Sequence, residues 1–366
     1  MKKFFMLAIA LMASISIYAQ TPEWQQQLEQ LDKEADELYE QKSWKKLVAN
    51  QEKYRKIFMA QPDSVRMDFL WDTDLDAIRE EPRFKACMER LEKWGDYKQK
   101  LKNAKGYHRG TLPEGMKFSY MSPNHPDLVR LREKFNLDSV AGAGNEISKI
   151  KNLLHWVHNI VPHDGGSFNP EVKNTIAMVE LCQKENRGVN CRMLAQMLTE
   201  VYLAMGFKAR FVTCMPRDYV SDCHVITTVY SNTLNKWLWV DPTHEAYVMD
   251  ENGVMLSIAE VRERLRNDQP LQLNEDANWN NRQKTYKEYY LDRYMAKNLY
   301  YLICMDYARF DAETVKEGRI YRYIALMPYD EINSQTNSIG WSILRVSDDE
   351  WFWQSPYLTK LIIEGR

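Results

Sequence analysis

One cysteine, one histidine and one aspartate in the second half of the 366-residue chain, Cys191, His224 and Asp241, are of types that together perform nucleophilic catalysis. A thiolate is a strong nucleophile, an imidazole takes up and returns a proton near neutral pH, and a carboxylate orients the imidazole. Such a set attacks carbonyl carbon atoms when its members lie in contact. Whether they do depends on the elements that carry them, which the flanking residues predict.

Cys191 lies at the start of a predicted amphipathic helix that runs to Gly206. Gly188 and Asn190 precede this helix, and its apolar residues recur at the spacing of one helical face. These apolar positions are Leu194, Met197, Leu198, Val201, Tyr202 and Met205. A cysteine in the first turn meets free backbone N–H groups and the positive end of the helix dipole, which favour a thiolate. A cysteine among apolar residues is also commonly a small buried hydrophobe, so its position alone leaves both interpretations open.

His224 and Asp241 lie on two predicted strands, residues 223–230 and 236–241, which a turn cluster at 231–235 joins into a hairpin. Side chains alternate along a strand, so any loop of even length places both residues on one face of the hairpin. If residue 230 pairs with residue 235, they lie directly opposite, about 4.5–5.5 Å apart at Cβ. Asp241 can then fix the tautomer of His224 while the other ring nitrogen faces a thiol.

The segment from about 120 to 270 resembles the transglutaminase-like superfamily, a papain-related fold in which a cysteine on a helix faces a histidine and an aspartate on a sheet. Four stretches in the same order carry the resemblance: Gly188-Val-Asn-Cys-Arg-Met-Leu-Ala, Met205-Gly-Phe-Lys-Ala-Arg, Asp222-Cys-His-Val and Trp237-Leu-Trp-Val-Asp-Pro-Thr. It implies that Cys191 is the nucleophile, His224 the general base and acid, and Asp241 the residue that orients His224. The implied reaction forms an acyl-enzyme thioester, which water or an amine then resolves.

The oxyanion of such a reaction needs hydrogen-bond donors. The backbone N–H of Cys191 at the helix start is a natural donor. The resemblance implies a second, side-chain donor from upstream, for which His163 and Trp156 are candidates; a capping or surface role for His163 and a core role for Trp156 are the alternatives. His155 and His158 share one helix face and are expected to be solvated or structural, with a metal pair as the alternative.

The whole chain is predicted to be α+β, with a papain-like or transglutaminase-like core, an N-terminal helical arm and a β-rich C-terminal extension. The predicted boundaries are a signal peptide at 1–19, a helical region at 20–105, a catalytic domain at 106–270, and a helix plus β-rich extension at 271–366. The helical region resembles tetratricopeptide arrays without a clean repeat period. It is either a cap on the core or a peptide-docking module.

The extension contains a predicted helix from Tyr289 to Tyr307. Three strand-like stretches follow it, at 320–327, 339–344 and 350–353.

The first residues have the form of a secretory signal: Met1-Lys-Lys, an apolar run from Phe4 to Ile17, and the small residue Ala19. Cleavage after Ala19 is expected to release a periplasmic or secreted protein with no transmembrane segment. The layout resembles exported transglutaminase-like proteins of the Bacteroidetes type. The six cysteines are few and scattered, unlike a disulfide scaffold, and no Cys/His spacing resembles a zinc site.

The net charge is −2 with both signs interspersed, which argues against a nucleic-acid partner. We expect a peptide or protein substrate, with a cell-wall peptide as one alternative, and no metal or cofactor. Three functions fit. The first is a cysteine peptidase-like hydrolase of peptide or isopeptide amides, the second a transglutaminase that uses amine acceptors, and the third a non-catalytic peptide-binding module. Acidic clusters typical of calcium-dependent crosslinking enzymes are not evident, which favours hydrolysis.

Overall fold

A computed structural model describes residues 23–59, 97–108, 117–217, 223–331 and 343–357. The chain divides into two compact units, Met1–Asp96 and Tyr97–Arg366. The expected signal peptide at 1–19 lies outside the described residues. So do residues 60–96 of the helical region and residues 339–342 of one expected strand.

The described part of the first unit consists of two helices, α1 (Glu23–Glu40) and α2 (Trp44–Met59). Buried Ala35, Leu38 and Leu47 form a small apolar core within it. The tetratricopeptide-like interpretation of this region stays a prediction.

The second unit mixes helices and strands. Its helices are α3 (Tyr97–Asn103), α4 (Pro126–Lys134), α5 (Leu137–Ala141), α6 (Glu146–Ile160), α7 (Thr175–Glu185), α8 (Cys191–Ala204), α9 (Ile258–Arg266), α10 (Lys287–Tyr289), a π-helix (Tyr290–Met295), α11 (Ala296–Asn298), a 3-10 turn (Tyr329–Glu331) and α12 (Asp349–Phe352). Its strands are β1 (Ser119–Tyr120), β2 (Ala209–Met215), β3 (His224–Ser231), β4 (Lys236–Val240), β5 (Val248–Met249), β6 (Gln272–Leu273), β7 (Asn278–Trp279), β8 (Gln283–Lys284), β9 (Tyr301–Met305), β10 (Tyr307–Ala308), β11 (Tyr323–Leu326) and β12 (Ile343–Val346).

A six-stranded sheet in the order β12-β11-β9-β2-β3-β4 organises this unit. All its pairings are antiparallel except β11 with β12. The sheet takes strands from both sides of residue 270, so the predicted catalytic domain and the predicted extension share one sheet. The mixed α and β fold predicted from the sequence is confirmed.

Helix α8 is the central element of the core. It packs against β2 and β3 on one side and against α4 and α6 on the other. Every residue from Met193 to Ala204 is buried, and the Tyr202 hydroxyl donates a hydrogen bond to the Ile150 carbonyl at 2.9 Å. The predicted helix thus begins at Cys191, and its rigid packing on both sides fixes where that residue lies.

The predicted hairpin is present with a shifted register. Tyr230 pairs with Trp237 rather than with Asn235, and Thr227 pairs with Val240. The connecting loop still has even length, so His224 and Asp241 share a face, but they are offset diagonally by two residues instead of lying directly opposite. The Glu146 carboxylate accepts hydrogen bonds from the turn backbone, including the Thr233 N–H at 2.7 Å, which stabilises this longer turn.

Two expectations for the C-terminal part are wrong. The helix expected from Tyr289 to Tyr307 ends at Asn298, because residues 301–305 form β9 in the interior of the sheet, between β2 and β11. The strand expected at 350–353 is helix α12, whose N-terminus is capped by Asp348 accepting a hydrogen bond from the Trp351 N–H at 2.9 Å. Among the described residues, no helix combines the length and the apolar character needed to cross a membrane.

Candidate active site

Cys191 is the first residue of α8 and is half-buried. Asn190 caps this helix, its side-chain oxygen accepting a hydrogen bond from the Met193 N–H at 3.2 Å. The Asn190 amide also donates to the Asn169 side chain at 2.7 Å, which ties the cap to the preceding loop. The capped first turn therefore holds the sulfur beside the free N–H groups of the helix end.

The residues just before Cys191 run alongside the segment that carries His163. His163 and Val189 form a parallel bridge, in which the Val189 N–H donates to the Pro162 carbonyl at 3.1 Å and the Asp164 N–H donates to the Val189 carbonyl at 2.8 Å. Gly188 makes this approach possible, because a Cβ there would lie 2.4 Å from the Pro162 oxygen. The sequence suggested that Gly188 marks the start of the helix. In the structure, a glycine is needed at this position because the two backbone segments lie in close contact.

His224 and Asp241 are buried and joined by a hydrogen bond of 2.6 Å between Nε2 and Oδ2. The imidazole also makes a hydrogen bond with Cys191, for which Nδ1 remains. Asp241 is held from two further directions: its Oδ1 accepts the Thr243 N–H at 2.8 Å, and its Oδ2 accepts the Tyr290 hydroxyl at 2.5 Å. The carboxylate therefore has one orientation, and it imposes that orientation on His224.

The electrostatics of the three residues favour an ion pair. Burial opposes a charge on Cys191, but hydrogen bonds with His163 and His224 lower the pKa of its thiol to about 6. Burial likewise opposes a charge on His224, yet the charge and hydrogen bond of Asp241 raise the imidazole pKa to about 10. Burial of Asp241 is outweighed by the charge of His224, which holds the carboxyl pKa well below its usual range. Between about pH 6 and 10 the site holds a thiolate beside an imidazolium.

A second histidine, His163, makes a hydrogen bond with the Cys191 side chain. The indole N–H of Trp279 donates to His163 Nδ1 at 2.9 Å. The Asn280 side chain makes two hydrogen bonds with the backbone of His163. Its Oδ1 accepts the His163 N–H at 2.7 Å, and its amide donates to the His163 carbonyl at 2.9 Å. The hairpin of β7 and β8 thus holds both the ring and the main chain of His163.

A third histidine, His244, lies behind the triad with its ring centroid 5.8 Å from that of His224. Burial lowers the pKa of His244 to about 3, so it stays neutral near physiological pH. Within the described part of the chain, His224, Asp241 and His244 are the one group of three side chains close enough to share a metal ion. An ion there would have to break the bond between His224 and Asp241, so the donor set does not suit a metal.

The structure brings Cys191, His224, Asp241 and His163 together. Trp156 lies elsewhere: its ring packs against Phe135 with centroids 5.1 Å apart, and no hydrogen bond of the described residues joins it to Cys191. That position corresponds to the core alternative for Trp156.

His155 and His158 have separate partners instead of a shared ligand. His155 is exposed and meets the Glu245 carboxylate at 2.5 Å. His158 is buried and meets the Pro242 carbonyl and the Asn278 side chain, each at 2.9 Å. The structural role expected from the sequence fits both residues.

Four residues that contact the site were not singled out by the sequence: Trp279, Asn280, Thr285 and Tyr290. Trp279, Asn280 and Thr285 lie between the end of the predicted catalytic domain at residue 270 and the helix expected from Tyr289, and Tyr290 lies at the start of that expected helix. No disulfide joins any two of the described cysteines, which are Cys182, Cys191, Cys214, Cys223 and Cys304, and Cys87 lies outside the described residues.

Two comparisons with known proteins found a similarity. Residues 133–242, which include the triad, match the family model of the transglutaminase-like superfamily. The crystal structure of a candidate cysteine protease from Cytophaga hutchinsonii is similar at 18% identity over 40% of this chain and 48% of that chain, with a TM-score of 0.25. The alignment thus spans about half of that protein. No curated protein matches the chain. The similarity to the transglutaminase-like superfamily thus covers residues 133–242, which lie within a larger mixed α and β unit.

Proposed function

We propose that the protein is a thiol-dependent acyl-transfer enzyme that hydrolyses peptide or isopeptide amides. One observation carries this proposal: a helix-start cysteine and an Asp241-oriented His224 share a hydrogen bond, and the thiol pKa is lowered to about 6. A buried cysteine with a purely structural role has no need of such a partner, and burial alone would raise its pKa.

The reaction begins when the Cys191 thiolate attacks the carbonyl carbon of the substrate, and the carbonyl π electrons move to oxygen. In this proposal the backbone N–H of Cys191, which lies at the helix start, donates a hydrogen bond to that oxyanion. The tetrahedral intermediate collapses as His224 gives its proton to the leaving amine, which leaves a thioester on Cys191. A water then attacks the thioester while the neutral His224 takes a proton from it, and the acid departs with the thiolate restored.

The choice of acceptor distinguishes hydrolysis from transamidation. Water needs no binding site of its own, so hydrolysis is the outcome expected from the triad alone. A protein-glutamine transglutaminase would instead bind a primary amine, which attacks the same thioester and forms a new amide. Both reactions share every step up to the acyl-enzyme, and both depend on Cys191.

A single assay separates the three candidate functions. The wild-type protein and the Cys191→Ala variant are incubated with a peptide library, with and without a labelled primary amine. Cleavage that requires Cys191 supports the hydrolase, and amine incorporation that requires Cys191 supports the transferase. Peptide capture that is equal in both proteins, with no product in either, would replace the enzyme proposal with a binding module.

Export belongs to the same proposal and rests on the amino-acid pattern of residues 1–19. The N-terminal sequence of the protein purified from its native cell envelope or medium tests it. A mature chain starting at Gln20 is the expected result, and a retained Met1 in a cytoplasmic fraction would contradict it.

A further inference from the structure

We propose that His163, neutral and carrying its proton on Nε2, is the side-chain oxyanion donor of this site, and that Trp279 is the positioning residue that fixes that tautomer. The inference rests on the proposed acyl-transfer function. It adds the pair of His163 and Trp279, of which Trp279 lies outside residues 133–242, the segment that matches the family model.

The chemistry of the indole determines where the proton of His163 lies. An indole N–H can only donate a hydrogen bond, so the His163 Nδ1 that meets it at 2.9 Å must accept and carries no proton. A neutral imidazole then bears its proton on Nε2. Because Trp279 occupies Nδ1, Nε2 is the nitrogen left for the hydrogen bond with Cys191, and it can only donate there.

The two histidines beside Cys191 thus have hydrogen-bond partners that favour opposite protonation states. His224 meets a carboxylate, which accepts a hydrogen bond and favours the charged imidazolium. His163 meets a donor, and a charged ring would place a second N–H against the indole N–H and lose that bond. One histidine is therefore equipped to move protons, and the other is equipped to donate a hydrogen bond without exchanging its proton.

The surroundings of His163 hold the donor in place before substrate arrives. The Asn280 side chain bonds both the N–H and the carbonyl of His163, and the bridge to Val189 ties the same residue to the strand-like segment that leads into Cys191. A preorganised donor beside the sulfur reaches the carbonyl oxygen that the sulfur attacks, and such donors stabilise the transition state most when they need not reorganise.

Imidazole nitrogen NMR on the full-length protein tests the tautomer without any substrate. With His163 assigned through its absence in His163→Gln, we expect the neutral ring of the wild type, observed at pH 8, to show a protonated Nε2 and an unprotonated Nδ1. Trp279→Phe removes the N–H but keeps a ring, and should leave a mixture of tautomers. Trp353→Phe, a half-buried tryptophan outside the site, should change nothing. A proton on Nδ1 in the wild type would overturn the proposal.

A double-mutant cycle tests the donor role. His163→Leu removes the donor and should lower kcat by about 10²-fold, the usual cost of one oxyanion-hole donor. His163→Gln keeps an N–H donor that does not titrate and should recover about 10-fold of that loss. Trp279→Phe should lower kcat by about 10-fold in the wild type, with KM little changed, and should have no effect in the His163→Gln background.

The outcomes separate this inference from the proposed function. Activity that requires Cys191, combined with equal losses for His163→Gln and His163→Leu, would overturn the donor role alone. An equal loss for Trp279→Phe in both backgrounds would overturn the tautomer role alone, since a generally structural tryptophan acts regardless of residue 163. Activity unaffected by Cys191→Ala would contradict the proposed function itself, whereas the NMR result would still decide the tautomer.

Discussion

At the scale of the residue, hydrogen-bond partners decide which groups carry charge. Cys191, His224 and His244 lie within one site, yet the pKa of the thiol is lowered to about 6, that of His224 is raised to about 10 and that of His244 is lowered to about 3. Burial opposes charge in all three. Only the partners differ: His224 meets a carboxylate at 2.6 Å, whereas His244 meets the Thr285 hydroxyl at 3.0 Å.

The first prediction concerns pH. Alkylation of Cys191 by iodoacetamide, followed at the peptide level by mass spectrometry, should rise with pH through about 6 and then level off, because the thiol loses its proton there. Hydrolytic kcat/KM should follow the same acid limb and fall again above about 10, where His224 loses its proton and can no longer protonate the leaving group.

His224→Ala provides the control for that profile. Without the imidazole, burial dominates, so the midpoint of Cys191 alkylation should move to higher pH. A wild-type midpoint at the ordinary cysteine pKa of about 8.5 would contradict the activated-thiol account.

The second prediction concerns Tyr290, whose hydroxyl donates to Asp241 at 2.5 Å. Tyr290→Phe should lower kcat/KM by about 10-fold, because a less firmly held carboxylate orients His224 less well. The matched control is Tyr202→Phe, which also removes a buried tyrosine hydrogen bond but one to the Ile150 carbonyl. Each variant should lose about 1 kcal/mol of unfolding free energy, while only the first loses activity. If Tyr290→Phe and Tyr202→Phe were equally active, the Tyr290 hydroxyl would have no role in orienting His224.

At the scale of the element, the start of α8 is the feature on which the nucleophile depends. The third prediction is that Asn190→Ala costs about 1 kcal/mol of unfolding free energy and lowers the alkylation rate of Cys191. Asn145→Ala is its control, because Asn145 caps α6 in the same way, accepting the Ser148 N–H at 2.9 Å. Similar stability losses with slower alkylation in Asn190→Ala alone would support the account, and unchanged alkylation in both would count against it.

The fourth prediction concerns the segment leading into α8. Gly188→Ala places a Cβ within 2.4 Å of the Pro162 oxygen, so the bridge between His163 and Val189 must open. We expect a loss of about 1–3 kcal/mol in unfolding free energy and a greater fractional loss of activity. At Gly106 the same change meets nothing within 4 Å and should be nearly neutral. Wild-type activity in Gly188→Ala would show that the bridge does not position the site.

The elements that carry the triad could be predicted because local patterns specify them. The apolar residues of helix α8 form one stripe, which predicts the helix. Side chains alternate between the two faces of β3 and β4, so an even number of residues in the connecting loop was enough to place His224 and Asp241 on the same face. Strand β9 was misread, because Tyr301–Met305 is a continuous apolar run that a buried helix would also show. Its place between β2 and β11 is set by tertiary contacts that no local pattern contains.

Long-range contacts explain which site residues the sequence did not reveal. Trp279 meets a histidine 116 positions away, and Tyr290 meets an aspartate 49 positions away. A tryptophan in a polar stretch has no spacing that identifies its partner, whereas Cys191 and His224 stand in motifs with recognisable neighbours. The proximity of Cys191, His224 and Asp241 could therefore be predicted from the sequence, whereas the contacts of Trp279 and Tyr290 could not.

At the scale of the whole molecule, the six-stranded sheet extends beyond residues 133–242, the part of the chain that matches a family model. Strands β9, β11 and β12 follow residue 270 but continue the sheet from β2, and Trp279 and Tyr290 contact the site from the same part of the chain. The fifth prediction is that a chain of residues 97–270 shows no cooperative thermal transition by circular dichroism and no fast alkylation of Cys191.

The comparison chain for that prediction is residues 97–366, one of the two compact units. It should melt cooperatively and label as fast as the full-length protein, because every described contact of the site lies within it. A folded and reactive 97–270 fragment would show instead that the later strands are dispensable for the site.

The acyl-enzyme itself tests the central claim most directly. The full-length protein is mixed with an activated peptide ester, quenched in acid, and digested for mass spectrometry. We predict an acyl group on Cys191, formed faster than on any other cysteine, slowed in His224→Ala and absent in Cys191→Ala. Acylation at equal rates on several cysteines, or at an unchanged rate on Cys191 in His224→Ala, would contradict the account.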